Sequence, residues 1–138
     1  MAVVLDTHAA IWYLSGSQEL SQAARLAIET AENDGDDVFL SAISLVEIVY
    51  LTERGRLPSA ALDRLREALK DPVRGLVVAP LDAAVADAVR KIPRDIVPDM
   101  PDRIIAATAA RFSADLVTRD RRLHAAGTLQ VAGLRIVW

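Results

Sequence analysis

Four acids spread along the chain, Asp6, Glu47, Asp102 and Asp120, are the residues whose types and spacing could do chemistry together. Carboxylates gathered in one place repel one another unless a cation lies among them. A ligand set of hard oxygens, without His or Cys, suits Mg²⁺ or Mn²⁺ rather than zinc. Mg²⁺ keeps several waters and binds through one or two carboxylates plus a substrate phosphate. Asp6 and Asp102 are therefore expected to be the main ligands, with Glu47 and Asp120 completing the site directly or through water. The chemistry such a site offers is hydrolysis of a phosphate ester, with Asp120 or Glu47 accepting the proton of the attacking water.

Glu47 is the most informative of the four. It is the only charged residue between Ala42 and Leu51 (AISLVEIVYL). A helix apolar nearly all round is expected to be buried, and a carboxylate on it is costly unless paired or metal-bound. The plainer reading is structural. Ser44-x-x-Glu47 and Asp99-x-x-Asp102 fit capping boxes, and Asp6 and Asp120 fit N-caps or Asx turns. Taken singly, each acid is better explained as a cap. Caps give no reason, however, for four acids to converge on one crevice. Asp99 itself reads as a cap, three residues ahead of Asp102.

The elements that must position these acids alternate between strand and helix. Apolar runs at 2–5, 38–40, 76–79, 116–117 and 134–137 read as strands. Helices are expected over 8–14, 20–33, 41–53, 58–69, 82–91 and from about 99 to 112, with a proline-rich loop over 93–101. That alternation predicts an α/β protein with a central, mainly parallel sheet of four to five strands, covered on both faces. The 138 residues fit a single domain, 1–138. In an open α/β sheet, ligands bind beyond the carboxyl ends of the strands. Asp6 follows the first strand, Asp120 the fourth, and Glu47 lies on the helix after the second. Asp102 reaches the same crevice if its helix starts on that side, as a right-handed crossover allows.

Hydrophobic residues make up 52% of the chain, enough for a sizeable core. There is no cysteine, which excludes disulfides, thiolate metal sites and cysteine nucleophiles. No apolar run is long enough to span a bilayer and MAVVLDTH does not resemble a signal peptide, so the cytoplasm is the expected location. The net charge of -3 is not that of a general nucleic-acid binder. Placement matters more: Arg103 follows Asp102, Arg119, Arg121 and Arg122 surround Asp120, and Arg54 and Arg56 form a further pair. With 14 arginines to two lysines, the cations suit bidentate phosphate contacts. His8 is read as solvated at a helix start, and His124 has no evident partner. Trp12 and Tyr13 could stack on bases, but a core or interface role is favoured. The apolar helices at 42–51 and 82–90 suggest further buried surface, such as a dimer face.

VVLDTHAAIWYL, LSAISLVEIVYL followed by ERGRL, PDRIIAATA and LVTRD together resemble the PIN domain, and more narrowly the VapC-type toxins of bacterial toxin–antitoxin pairs. The resemblance spans essentially the whole chain in order and spacing. It implies a three-layer α/β/α sandwich and an endoribonuclease dependent on Mg²⁺ or Mn²⁺, leaving a 5′-phosphate. It maps Asp6, Glu47, Asp102 and Asp120 onto the family's acidic quartet, and it implies that Thr118 helps shape the site. The RNA-facing candidates are then Arg103, Thr118, Arg119, Arg121 and Arg122. It also implies structured RNA such as tRNA as substrate, a cognate antitoxin as inhibitor, and a homodimer. Two readings compete from other classes. A haloacid-dehalogenase-type phosphatase would need an acid where His8 stands. A non-catalytic α/β protein-binding module would leave the acids as caps or a docking surface. Within the family, a housekeeping nuclease without an antitoxin is the remaining alternative.

Overall fold

The computed structural model describes residues 1–138. Five strands, β1 (Val3–Leu5), β2 (Val38–Ser41), β3 (Leu76–Ala79), β4 (Asp115–Val117) and β5 (Ile136–Val137), form one sheet in the order β3-β2-β1-β4-β5. Every pairing is parallel. Seven helices cover it: α1 (Thr7–Ser15), α2 (Gln22–Asn33), α3 (Ala42–Glu53), α4 (Ser59–Lys70), α5 (Ala83–Val89), α6 (Met100–Phe112) and α7 (Arg121–Thr128). A short 3₁₀ turn at Val131–Gly133 leads into β5.

Strand alternation sorts the core into two layers. Val4, Phe39 and Leu116 are register partners and point to one face, where they pack with Ile105 of α6, Ala88 of α5 and Leu123 of α7. Val3, Leu5, Val38, Leu40 and Val117 point to the other, against Ala9 of α1, Ile28 of α2, Ile48 of α3 and Leu65 of α4. Side chains two apart on a strand share a face, so a sheet covered on both sides needs apolar residues throughout. The three residues of β1 are accordingly all buried. This is the α/β/α arrangement expected, with the sheet wholly parallel.

Two expectations need correction. The segment after β4 holds a helix, α7, for which the N-cap at Asp120 was the only signal, because RRLHAAGT buries only Leu123 and Ala126. And α3 is not buried all round: Ser44 and Ile48 are buried, while Val46 (61% exposed), Val49 (37%) and Tyr50 (55%) face outward. β2 and the helices α1, α4 and α6 cover one side of α3, and Val46, Val49 and Tyr50 remain uncovered.

Candidate active site

The chain runs from β1 outward to β2 and β3, then returns to place β4 on the other side of β1. The switch point therefore lies between β1 and β4, where the diverging connections open a crevice. Asp6 stands at its edge, its backbone N–H donating to the carbonyl of Val117 at the end of β4 (3.1 Å).

Asp6 is the N-cap of α1. Its Oδ1 accepts from the N–H of Ala9 at 2.7 Å, and its Oδ2 accepts a short hydrogen bond from the Thr118 hydroxyl. Thr118 is fully buried, and its Oγ1 also accepts from the N–H of Asp120 (3.0 Å). One threonine thus ties the carboxylate after β1 to the turn after β4. Asp120 caps α7, with Oδ1 accepting from the N–H groups of Arg122 (2.9 Å) and Leu123 (3.0 Å). The imidazole of His124 lies 2.7 Å from the Thr118 carbonyl, which gives that histidine the partner the sequence did not reveal.

Glu47 reaches the crevice from the middle of α3. The buried Thr7 hydroxyl donates to its Oε1 at 2.7 Å, and Ser44 Oγ lies 2.9 Å from the same hydroxyl. A capping box does not account for Glu47: α3 is capped by Ser41, whose Oγ accepts from the N–H of Ile43, and Ser44 is committed to Thr7. Asp102 lies in the first turn of α6, and Asp99 caps that helix by accepting from the Asp102 N–H at 3.1 Å, as expected.

These side chains line one recess of about 220 Å³: Asp6, Thr7, His8, Glu47, Asp99, Asp102 and Asp120, with no apolar residue among them. The electrostatics bear the mark of the crowding. Burial, then the charges of Asp99, Asp120, Glu47 and Asp6, push the Asp102 carboxyl up to about 7. Burial also raises Asp6, against the hydrogen bonds from Thr118 and Ala9 that lower it. No three or more His, Cys, Asp or Glu side chains are placed so that together they could hold a metal ion. That is compatible with a cation held by one or two carboxylates and water, and the all-oxygen donors fit Mg²⁺ or Mn²⁺.

The structure thus gathers all four predicted acids. It does not place all the RNA-facing candidates on the crevice. Arg103 turns away: its Nε and Nη2 donate to the carbonyls of Ile92 (3.0 Å) and Val89 (3.1 Å), satisfying the end of α5 and the turn beyond it. Thr118 is buried, so a direct contact with a ligand is closed to it, and its work is positioning. Arg119, Arg121 and Arg122 are exposed near Asp120. Sequence reasoning missed Thr7 and Ser44. The only available signal was a threonine wedged between Asp6 and an apolar helix.

An all-parallel order 3-2-1-4-5 with an acidic crevice at the switch point is the architecture of a PIN-type α/β/α domain, and the PIN domain family model matches residues 3–129. The chain belongs to the PIN-domain family, in its VapC-type branch. It is 40% identical over 124 residues to Ribonuclease VapC22 of Mycobacterium tuberculosis, covering 88% of this chain and 89% of that one. The fold is similar to VapBC2 from Rickettsia felis, solved bound to a DNA fragment from its promoter, at a TM-score of 0.71 and 16% identity over 99% of this chain and 97% of that one. It is also similar to FitAcB from Neisseria gonorrhoeae, at a TM-score of 0.57 and 24% identity over 97% and 95% of the two chains.

Proposed function

We propose that the chain, as one PIN unit over residues 1–138, is an endoribonuclease dependent on Mg²⁺ or Mn²⁺ and the toxin half of a toxin–antitoxin pair. The observation that carries the reading is the all-polar recess at the β1–β4 switch point, which Asp6, Glu47, Asp102 and Asp120 line from four separate segments. The 40% identity to a protein named as a ribonuclease supports the nuclease class. Fold neighbours solved as toxin–antitoxin complexes support an antitoxin partner.

Asp6 and Asp102 are the ligands that would hold the cation, with Glu47 and Asp120 completing the site directly or through water. Bound there, the ion supplies positive charge to offset the carboxylates and the phosphate and to activate a water. The chain's own groups do the rest. Thr7 and Thr118 fix the orientations of Glu47 and Asp6. Glu47 or Asp120 takes a proton from the attacking water, whose oxygen bonds to phosphorus as the P–O3′ bond breaks; the 3′ oxygen leaves as a hydroxyl with a proton from solvent, and the phosphate stays on the 5′ oxygen of the other fragment. Arg121 and Arg122 stand where an RNA backbone would approach, and Arg119, paired with Glu19, lies beside them. Structured RNA such as tRNA is the expected substrate class and the cytoplasm the expected site of action. No helix is long and apolar enough to cross a membrane. The outward apolar side chains of α3, Val46, Val49 and Tyr50, support a homodimer face.

Cleavage-end mapping on total RNA tests the reading, with wild type beside Asp6→Asn. The expected outcome is Mg²⁺-dependent cuts bearing 5′-phosphates, absent from the variant and from EDTA-treated wild type. Antitoxin-free wild type that neither binds a divalent cation nor cuts RNA would instead indicate a non-catalytic binding module.

A further inference from the structure

We propose that the recess adjoining the carboxylate crevice is a nucleobase subsite, in which the Arg119 guanidinium, laid over Trp12, forms the shelf that stacks an unpaired RNA base beside the phosphate being cut. The proposal rests on the nuclease reading above and specifies how that site selects its substrate.

The recess, about 340 Å³, is lined by Asp6, His8, Trp12, Arg119, Asp120 and Arg121. Asp6, His8 and Asp120 line the carboxylate crevice as well, so the two recesses adjoin along these side chains. A nucleotide next to a phosphate held at the acids would enter the recess that Arg119 lines.

Arg119 has two partners although it is exposed. Its Cζ lies 4.4 Å over the Trp12 ring centre, and its Nη1 donates to Glu19 Oε2 at 2.9 Å. The indole is itself braced, with the His8 ring 5.6 Å and the Trp138 ring 5.8 Å from it. A free arginine loses much rotamer entropy on ordering, and its two partners reduce that loss for Arg119. Its side chain is still 52% exposed, so the face turned from Trp12 remains open. Guanidinium planes stack on nucleobases as aromatic rings do. The carboxylate of Glu19 makes the same group a poor phosphate contact. Arg121, on the same recess, has no carboxylate within ion-pair distance and is the cation left for the backbone. A base reaches such a shelf only when it is unstacked, which points to single-stranded or looped RNA rather than a duplex.

The test uses a short single-stranded oligoribonucleotide containing a mapped cut, and a series in which one base at a time is replaced by an abasic residue. With wild type, one abasic position next to the cut should raise KM by about tenfold, the loss expected when one stacked base is removed. Arg119→Lys keeps the charge and loses the plane. It should raise KM for the intact oligonucleotide by a similar factor, with the loss on KM rather than kcat, and should show no further loss on the abasic one. Trp12→Leu, which removes the support, should behave alike. Melting temperatures and Mn²⁺ binding near wild type exclude misfolding as the cause. A flat abasic series with wild type, or an Arg119→Lys effect that simply adds to the abasic one, overturns the subsite and leaves the nuclease reading standing. Wild type that cuts none of the oligonucleotides in Mg²⁺, and no RNA in the mapping experiment, overturns both.

Discussion

At the scale of single residues, two acids of the crevice have structural work, and the proposed chemistry would use the same side chains. Asp6 and Asp120 cap α1 and α7 with one oxygen, while Asp6 keeps its second on Thr118. Weighing a cap against a catalytic acid is thus a false choice here, because the cap fixes the carboxylate's direction. The threonines behind them should matter nearly as much. Thr7→Val leaves Glu47 without its donor, and we expect cleavage and divalent-cation affinity to fall by roughly 10- to 100-fold, as when outer hydrogen bonds of metal ligands are removed. Circular dichroism unchanged beside a weakened Mn²⁺ titration would verify this. The raised Asp102 carboxyl carries a pH dependence. It titrates at about 7 in the folded chain and near 3.9 unfolded. Between those values the folded state binds more protons, so this contribution to stability is complete below about 4 and is lost as pH rises through about 7. In EDTA, the melting temperature should therefore decline from pH 5 toward pH 8, and Asp102→Asn should flatten that decline. Mg²⁺ competes with the proton, so its stabilising effect should grow over the same interval. A metal-free melting temperature that climbs with pH in wild type and not in Asp102→Asn contradicts the assignment.

At the scale of elements, short local devices hold the crevice open. Asp99 caps α6, and its replacement by Ala should cost about 1 kcal/mol. Differential scanning calorimetry reads that loss. The α7–β5 contact is tighter. A Cβ added at Gly127 would collide with Cγ1 of Ile136 and lie 3.3 Å from its Cβ. Gly127→Ala should therefore cost about 1–3 kcal/mol through overpacking. Because α7 begins at Asp120, activity should fall with stability, and Ile136→Ala, which removes the colliding Cγ1, should recover part of both. Equal denaturation midpoints for Gly127→Ala and wild type would show that the edge strand yields freely.

At the scale of the whole molecule, the sheet divides the core in two, and both layers are needed to hold the switch point. Ile105 of α6 is buried beneath β1 and β4, three residues after Asp102. Ile105→Ala should cost about 2–5 kcal/mol by urea denaturation. The outward face of α3 belongs to this scale too. Tyr50→Glu and Val46→Asp should convert a dimer to a monomer in sedimentation velocity without lowering the cooperativity of unfolding. Wild type sedimenting as a monomer removes the dimer from the reading.

The chain on its own determined the strand–helix alternation and the cap at Asp99, and it offered Asp6, Glu47, Asp102 and Asp120 as candidates. The alternation and the cap follow from apolar periodicity and from hydrogen bonds spanning a few residues, which any segment displays without its partners, while the acids stood out by their places after strands and by the resemblance to the PIN domain. Only the tertiary structure decided that Arg103 serves the end of α5, that Thr7 and Ser44 hold Glu47, and that Arg119 lies on Trp12. It also decided that α3 keeps an uncovered face and that α7 exists. Thr118 meets Asp6 across 112 residues of chain and Thr7 meets Glu47 across 40. Contacts of that range depend on strand order and register, which are settled by how two apolar faces are buried at once rather than by any local pattern.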